Sequence, residues 1–260
     1  MNSGVVTYFT KGKVLNTVGT HQKFDKTAYR LILPMLEVDK FPTKNMILKF
    51  EGMGGPDGLK MKSRQYKADH LWDPINKIGN LPIWIEVHFA NLTKALKEGD
   101  LVKASFEAGF MAHYLTDSLT PAHHISMKLM AAEYDDASKM RRGWLYFGRK
   151  GLMTSHVMFE GGVSTSIAMN SLRVNFDQDL YEKILKNGIK KVVEEESLRI
   201  AKLDLYDQFI KKGWTAGLAK TVKTVVVKRI PQLIAAAWLA AYMESGREVK
   251  SIDQPHTALL

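Results

Sequence analysis

His113-Tyr-Leu-Thr-Asp-Ser-Leu-Thr-Pro-Ala-His-His124 is the stretch whose reading decides the fold. It follows an apolar, Ala-rich run, Leu101 to Ala112, that predicts a helix. His113 and Asp117 stand four residues apart, so a helix puts both on one face. Pro121 then stops or turns the chain, and His123 and His124 follow at once. Histidine and carboxylate at helical spacing, with another histidine just past a break, form a metal-ligand pattern. A capped helix end followed by a surface histidine pair has the same residues, and this stretch alone leaves both readings open.

Working outward, the chain reads as a succession of helices. Ile83 to Lys97 has helical periodicity, Glu98-Gly99-Asp100 breaks it, and Asp100 is the N-cap of the central helix. His88, in the earlier helix, has no partner four residues away and reads as structural. Further upstream Phe24, Ala28, Leu31 and Ile32 share one face of a helix that starts at His21 and meets Pro34, and a short helix covers Asn45 to Phe50. Gly52-Met-Gly-Gly-Pro-Asp-Gly58 reads as a loop whose glycines let the backbone present Asp57. No Gly-Lys-Ser/Thr follows it, which argues against a phosphate-cradling loop. Asp69-His-Leu-Trp-Asp-Pro74 is a second cluster of candidate ligands.

Downstream, residues 125 to 150 are rich in Met and aromatics and then basic. His156 and Glu160 repeat the four-residue spacing, with Gly161-Gly162 expected to end their helix. Asp177 to Asp204, Leu205 to Lys212 and Pro231 to Gly246 read as helical. Thr221 to Val227 is β-branched, but its surroundings favour helix. The first twenty residues show no period, and the tail after Gly246 is polar and expected to be loosely held. The expectation is an all-α fold, a single multi-helix domain over residues 1–260.

Composition narrows the chemistry. The 260 residues include no cysteine, so disulfides and thiolate metal sites are excluded, and any metal must be held by His, Asp, Glu or backbone. A net charge of +10, dispersed along the chain, suits anionic partners: nucleic acid, a phospholipid surface or phosphorylated small molecules. The longest apolar run, Leu233 to Met243, is too short to span a bilayer. The first twenty residues lack a secretory apolar region, so the sequence as written is expected to be cytoplasmic, or secreted if its N-terminus has been trimmed.

The ordered set His21, Asp57, His70, His113, Asp117, His123, His156 and Glu160 resembles the ligand series of the zinc-dependent phospholipase C family and its relatives, the S1/P1 nucleases. His70-Leu-Trp-Asp-Pro74, Thr20-His21 at a helix start, Leu115 to Pro121 and Trp238-Leu-Ala-Ala-Tyr242 agree with the same family. The resemblance implies two or three zinc ions, with other divalent metals as substitutes. Asp57, His70, His113 and Asp117 would hold one, and His123, His156 and Glu160 another. His21 would hold a third with Asp117 as the bridge. His123 rather than His124 matches the family's spacing. By the same resemblance Asp57 orients or deprotonates an attacking water.

The implied activity is hydrolysis of a phosphoester (phospholipid, nucleotide or small phosphoester), with peripheral contact to anionic surfaces compatible with the charge. Glu160 in the last position resembles the phospholipase branch, as does the lack of cysteine. A single-strand nuclease and a non-catalytic, metal-stabilised protein that binds anionic partners are the alternatives. The chain departs from the family in three places. No tryptophan precedes Trp72, whereas the family closes its third metal with an N-terminal tryptophan, so that position is absent, water-completed or closed by another group. Gly58 and Lys67 stand where choline-specific members carry aromatics, and residues 125 to 155 are longer than their counterpart.

Overall fold

The computed structural model describes residues 19–37, 39–51, 54–62, 70–124, 152–168, 172–250 and 257–260. Lys67, Asp69, His256 and most of the 1–20 and 125–155 stretches lie outside them.

Helix α1 (Thr20–Ile32) is amphipathic, and the face expected from its period is the buried one: Phe24, Ala28, Leu31 and Ile32 are inaccessible to solvent. His21 and Asp25 share that buried face. Pro34 falls inside the single 3₁₀ turn (Leu33–Met35) that closes the helix. A short α2 (Lys44–Leu48), capped by Thr43, leads through Glu51 to α3 (Pro56–Lys62). Here the structure corrects the expected loop. Pro56 opens a helix, a position that suits its fixed φ, and Asp57 lies in the first turn. The preceding glycines allow close packing: a Cβ on Gly54 or Gly55 would fall 2.2 or 2.5 Å from the carbonyl oxygen of Lys49 or Phe50.

The antiparallel pair α4 (Leu81–Glu98) and α5 (Leu101–Leu119) forms the centre. Asp100 caps α5 as expected, its carboxylate accepting the amide of Lys103 at 2.9 Å. A 3₁₀ turn (Pro121–His123) follows α5. Helix α6 (Leu152–Ala168) runs straight through Gly161-Gly162 and does not end there. Gly162 is needed for contact, since a Cβ would lie 2.5 Å from the Trp214 ring.

The stretch expected as one helix from 177 to 204 is two, α7 (Gln178–Asn187) and α8 (Ile189–Ala201), divided at Gly188, whose φ of 80° only glycine adopts freely. Helices α9 (Leu205–Lys212) and α10 (Ala216–Thr221) precede α11 (Lys228–Glu244). Val222–Val227, the β-branched run, is a π-helical turn joining α10 to α11. The physical reason sits one turn later: Pro231 has no N–H to offer the Val227 carbonyl, so the ladder slips register before it.

Helix α11 packs on α1, α4, α5 and α7, with Trp238 and Tyr242 fully buried. The Trp238 indole donates to the Ala108 carbonyl at 3.1 Å. Each fully buried side chain of this size contributes about 1.5–3 kcal/mol. The continuous segment Ala216–Glu244 is long and apolar enough to span a bilayer, but 72% of its most apolar window is buried in the fold.

The tail also departs from expectation. Lys250 donates its amide to Met35, and β2 (Thr257–Leu259) pairs antiparallel with β1 (Arg173–Asn175). Three-residue strands are too short to show a period in sequence.

Candidate metal centre

The side chains singled out in the sequence converge from six separate segments. Helix α5 supplies His113 and Asp117, one turn apart and both buried. Helix α1 lays His21 against them, its ring stacked on that of His113 at 4.4 Å. The segment before α4 contributes His70, and α3 contributes Asp57. The 3₁₀ turn after α5 brings His123, and α6 brings His156 and Glu160.

Three groups of ligand atoms result, each mutually within 4.8 Å: His21, His113 and Asp117; Asp57, His70 and His113; and His123, His156 and Glu160. Asp117 is the hub. Its Oδ1 lies 3.9 Å from His21 Nε2 and 3.4 Å from His123 Nε2, and its Oδ2 lies 3.4 Å from His113 Nε2. Asp57 Oδ1 is 3.7 Å from His70 Nε2 and 3.9 Å from His113 Nε2. Glu160 Oε1 is 3.2 Å from His123 Nε2 and 2.9 Å from His156 Nε2. Two ligand atoms on a tetrahedral zinc are about 3.3 Å apart, so most of these separations suit a shared divalent ion.

The other edges of the rings fix their direction. His123 donates Nδ1–H to the His70 carbonyl at 2.9 Å, and His156 donates to the Ala122 carbonyl at 3.2 Å. His70 donates Nδ1–H to Asp117 Oδ2 at 2.8 Å, so toward this histidine Asp117 acts as an orienting carboxylate. All three rings therefore turn Nε2 toward the carboxylates of the site, His70 toward Asp57 and His123 and His156 toward Glu160. Buried atoms left without a hydrogen bond among the described residues include both nitrogens of His21, Nε2 of His70 and Oδ1 of Asp117. Burying such atoms unsatisfied is costly, and divalent ions would satisfy Nε2 of His21, Nε2 of His70 and Oδ1 of Asp117. The donor set of imidazoles and carboxylates fits zinc.

The carboxylates and imidazoles of the cluster set one another's charge. Burial opposes ionisation of Asp117, but His123, His113 and His70 overcome it and hold its carboxyl well below the usual range. Glu160 is held well below its usual value against burial, with hydrogen bonds from His123 and His156. Burial opposes a charge on His113, yet Asp117, Glu51 and Asp57 push it up to about 10. Burial, then His113, pushes His21 far down. Burial lowers His123 as well.

Several residues fall elsewhere. His124 turns away, donating Nε2–H to the Ser118 carbonyl at 2.7 Å, which separates it from His123. Asp73 builds a turn, accepting the amides of Ile75 and Asn76 at 3.0 Å. His88 does have a partner, across the helix pair: Glu107 at 2.6 Å. Two buried carboxylates escaped the sequence reading. Asp25 stands four residues after His21, the same spacing as His113–Asp117 and His156–Glu160, and that repeat would have found it. Burial, then Glu51, holds Asp25 well above the usual carboxylate range. Glu51, beside a glycine-rich run, carries no comparable signal.

No family model matches the chain, and no curated protein matches it. Among solved structures it is similar to the alpha toxin from Clostridium absonum, with 16% identity and a TM-score of 0.54 over 87% of this chain and 62% of that one. It is also similar to the Clostridium perfringens alpha-toxin from an avian strain, at 16% identity and a TM-score of 0.53, over 86% of this chain and 63% of that one. The chain thus spans less than two thirds of the length of these toxins. At this identity the likeness shows the fold alone, the all-α architecture of these toxins.

Proposed function

We propose that this chain is a metal-dependent hydrolase of phosphoesters, with a phospholipid as the substrate class. The observation that carries the reading is the convergence of three histidine–carboxylate groups on Asp117. The all-α fold shared with the alpha-toxins and the ligand series read from sequence support it. By the same resemblance Asp57, His70, His113 and Asp117 would hold one ion, His123, His156 and Glu160 a second, and His21 a third with Asp117 as the bridge.

Divalent ions bound there would neutralise the phosphoryl oxygens and lower the pKa of a coordinated water. The chain's own residues supply placement and protons. Asp57 is the most accessible carboxylate of the set: its side chain is 33% accessible, against 1% for Asp117 and 4% for Glu160. It therefore faces the side from which water and substrate arrive. Burial raises its pKa, but His113 and His70 outweigh that and leave it lowered, so the carboxylate is ionised at neutral pH. A weakly basic, ionised carboxylate accepts a hydrogen bond from the attacking water and orients it more effectively than it removes the proton outright.

The test is hydrolysis by zinc-loaded protein across short-chain phosphatidylcholine and phosphatidylglycerol, a nucleotide diester and single-stranded DNA. Phospholipid turnover that falls more than about 100-fold in His113→Ala is expected, since orienting partners alone are worth 10–100-fold. Turnover unchanged in that variant, or no zinc uptake, defeats the reading. Cleavage of DNA but not of lipid would move the substrate class to nucleic acid.

A further inference from the structure

Glu51 sits on the far side of the rings from the hub. It lies just past α2, is 3% exposed, and is brought there by contact between α2 and α5. That contact passes through Gly109, one turn before His113, where a Cβ would meet Phe50 Cβ at 3.0 Å and the Ile47 carbonyl at 3.1 Å. Glu51 Oε2 is 3.5 Å from His113 Nδ1, and Oε1 is 3.8 Å from His21 Nδ1. The opposite nitrogens of both rings, Nε2, face Asp117.

We infer that Glu51 is a positioning residue serving two metal positions at once, its two oxygens taking the Nδ1 protons of His21 and His113. Three of the five site histidines already anchor Nδ1–H on an oxygen: His70 on Asp117, His123 on the His70 carbonyl, and His156 on the Ala122 carbonyl. The remaining two both point Nδ1 at Glu51. An imidazole cannot give both nitrogens to one ion, so a carboxylate on the Nδ1 edge is not a co-ligand of an ion shared with Asp117 on the Nε2 edge. It fixes the tautomer and the ring plane instead. The His113 contact is at hydrogen-bonding distance, and the His21 contact needs a shift of a few tenths of an ångström. A single carboxylate would thus couple α1 and α5, the helices carrying these two ligands.

This inference rests on the metal-centre reading, and the experiment separates the two. The metal-free full chain is titrated with Zn²⁺ against a competing chelator, with bound ions counted by mass spectrometry and folding followed by circular dichroism. Glu51→Gln and Glu51→Asp are measured alongside. The expected result is an unchanged number of ions, with Glu51→Gln weakening those at His21 and His113 by about 10–100-fold. Affinity at the His123–His156–Glu160 position stays at the wild-type value, and Glu51→Asp recovers part of the loss. Imidazole ¹⁵N spectra show His21 and His113 as Nδ1–H tautomers in the wild type, and that preference is lost in Glu51→Gln. Unchanged affinities overturn the role of Glu51 while leaving the site intact. Outright loss of one ion, with the others at wild-type affinity, makes Glu51 a ligand and also overturns it. A wild type that takes up no zinc overturns this role and the site reading together.

Discussion

Asp117 and Glu160 are both buried carboxylates beside histidines, yet their reach differs. Asp117 lies within 4 Å of nitrogens from His21, His70, His113 and His123. Glu160 meets only His123 and His156 among the site histidines in the described residues. Replacing each with alanine should therefore give different stoichiometries. Asp117→Ala is expected to lose ions from more than one position, and Glu160→Ala from one, as counted by mass spectrometry on folded protein. Equal losses would remove Asp117 as the hub. At this scale the sequence was most legible where ligands lie one helical turn apart, because spacing alone then dictates a shared face. His21, Asp57 and His70 had no such local partner in the reading, and only the resemblance linked them to the centre. Glu51 was invisible because its role depends on α2 docking against α5, a tertiary contact.

Helices as units explain both what spacing captured and what it missed. The amphipathic face of α1 and the cap of α5 follow from local chemistry and could be read directly. The break at Gly188, the π-turn before Pro231 and the passage of α6 through two glycines depend on single backbone positions that a periodic pattern averages away. Two predictions belong here. Gly109→Ala inserts a methyl between α2 and α5 and should cost about 1–3 kcal/mol in denaturant unfolding. It should also weaken zinc binding by displacing Glu51 from His113.

The second concerns Arg229 of α11, which donates to Glu196 of α8 at 2.8 and 2.9 Å and pairs with Asp177, the N-cap of α7. Burial opposes ionisation of Glu196, but Arg229 and Arg199 lower its pKa below 4.5. Its stabilising contribution is therefore fully present above that value and is lost as pH falls through the folded one. Arg229→Met leaves the carboxylates without their shared cation and should cost about 2–4 kcal/mol at neutral pH. The gap between variant and wild type in chemical unfolding should narrow below pH 4.5. A gap independent of pH would mean the arginine acts through packing alone.

Across the whole molecule, the candidate centre ties together segments that are distant in sequence, from His21 to Glu160, while α7, α8 and α9 carry none of its ligands. The described structure holds His21, Asp25, His113 and Asp117 buried together, several of their atoms without a hydrogen bond from the described residues. Bound ions would convert that liability into cross-links, because anything that binds only the folded state stabilises it by linkage. The gain is about 2.7 kcal/mol per site at a free ion concentration 100 times the dissociation constant. Stripping metal should consequently lower the thermal midpoint by several degrees, and unevenly. Hydrogen exchange is expected to accelerate in α1, the C-terminal half of α5, and α6. The α7–α8 pair, held to α11 by Arg229 and by apolar contacts, should keep its protection. Uniform loss of protection would show that the ions secure the entire fold. Unchanged protection everywhere, with zinc bound at the start, would show that the site is rigid before any ion arrives.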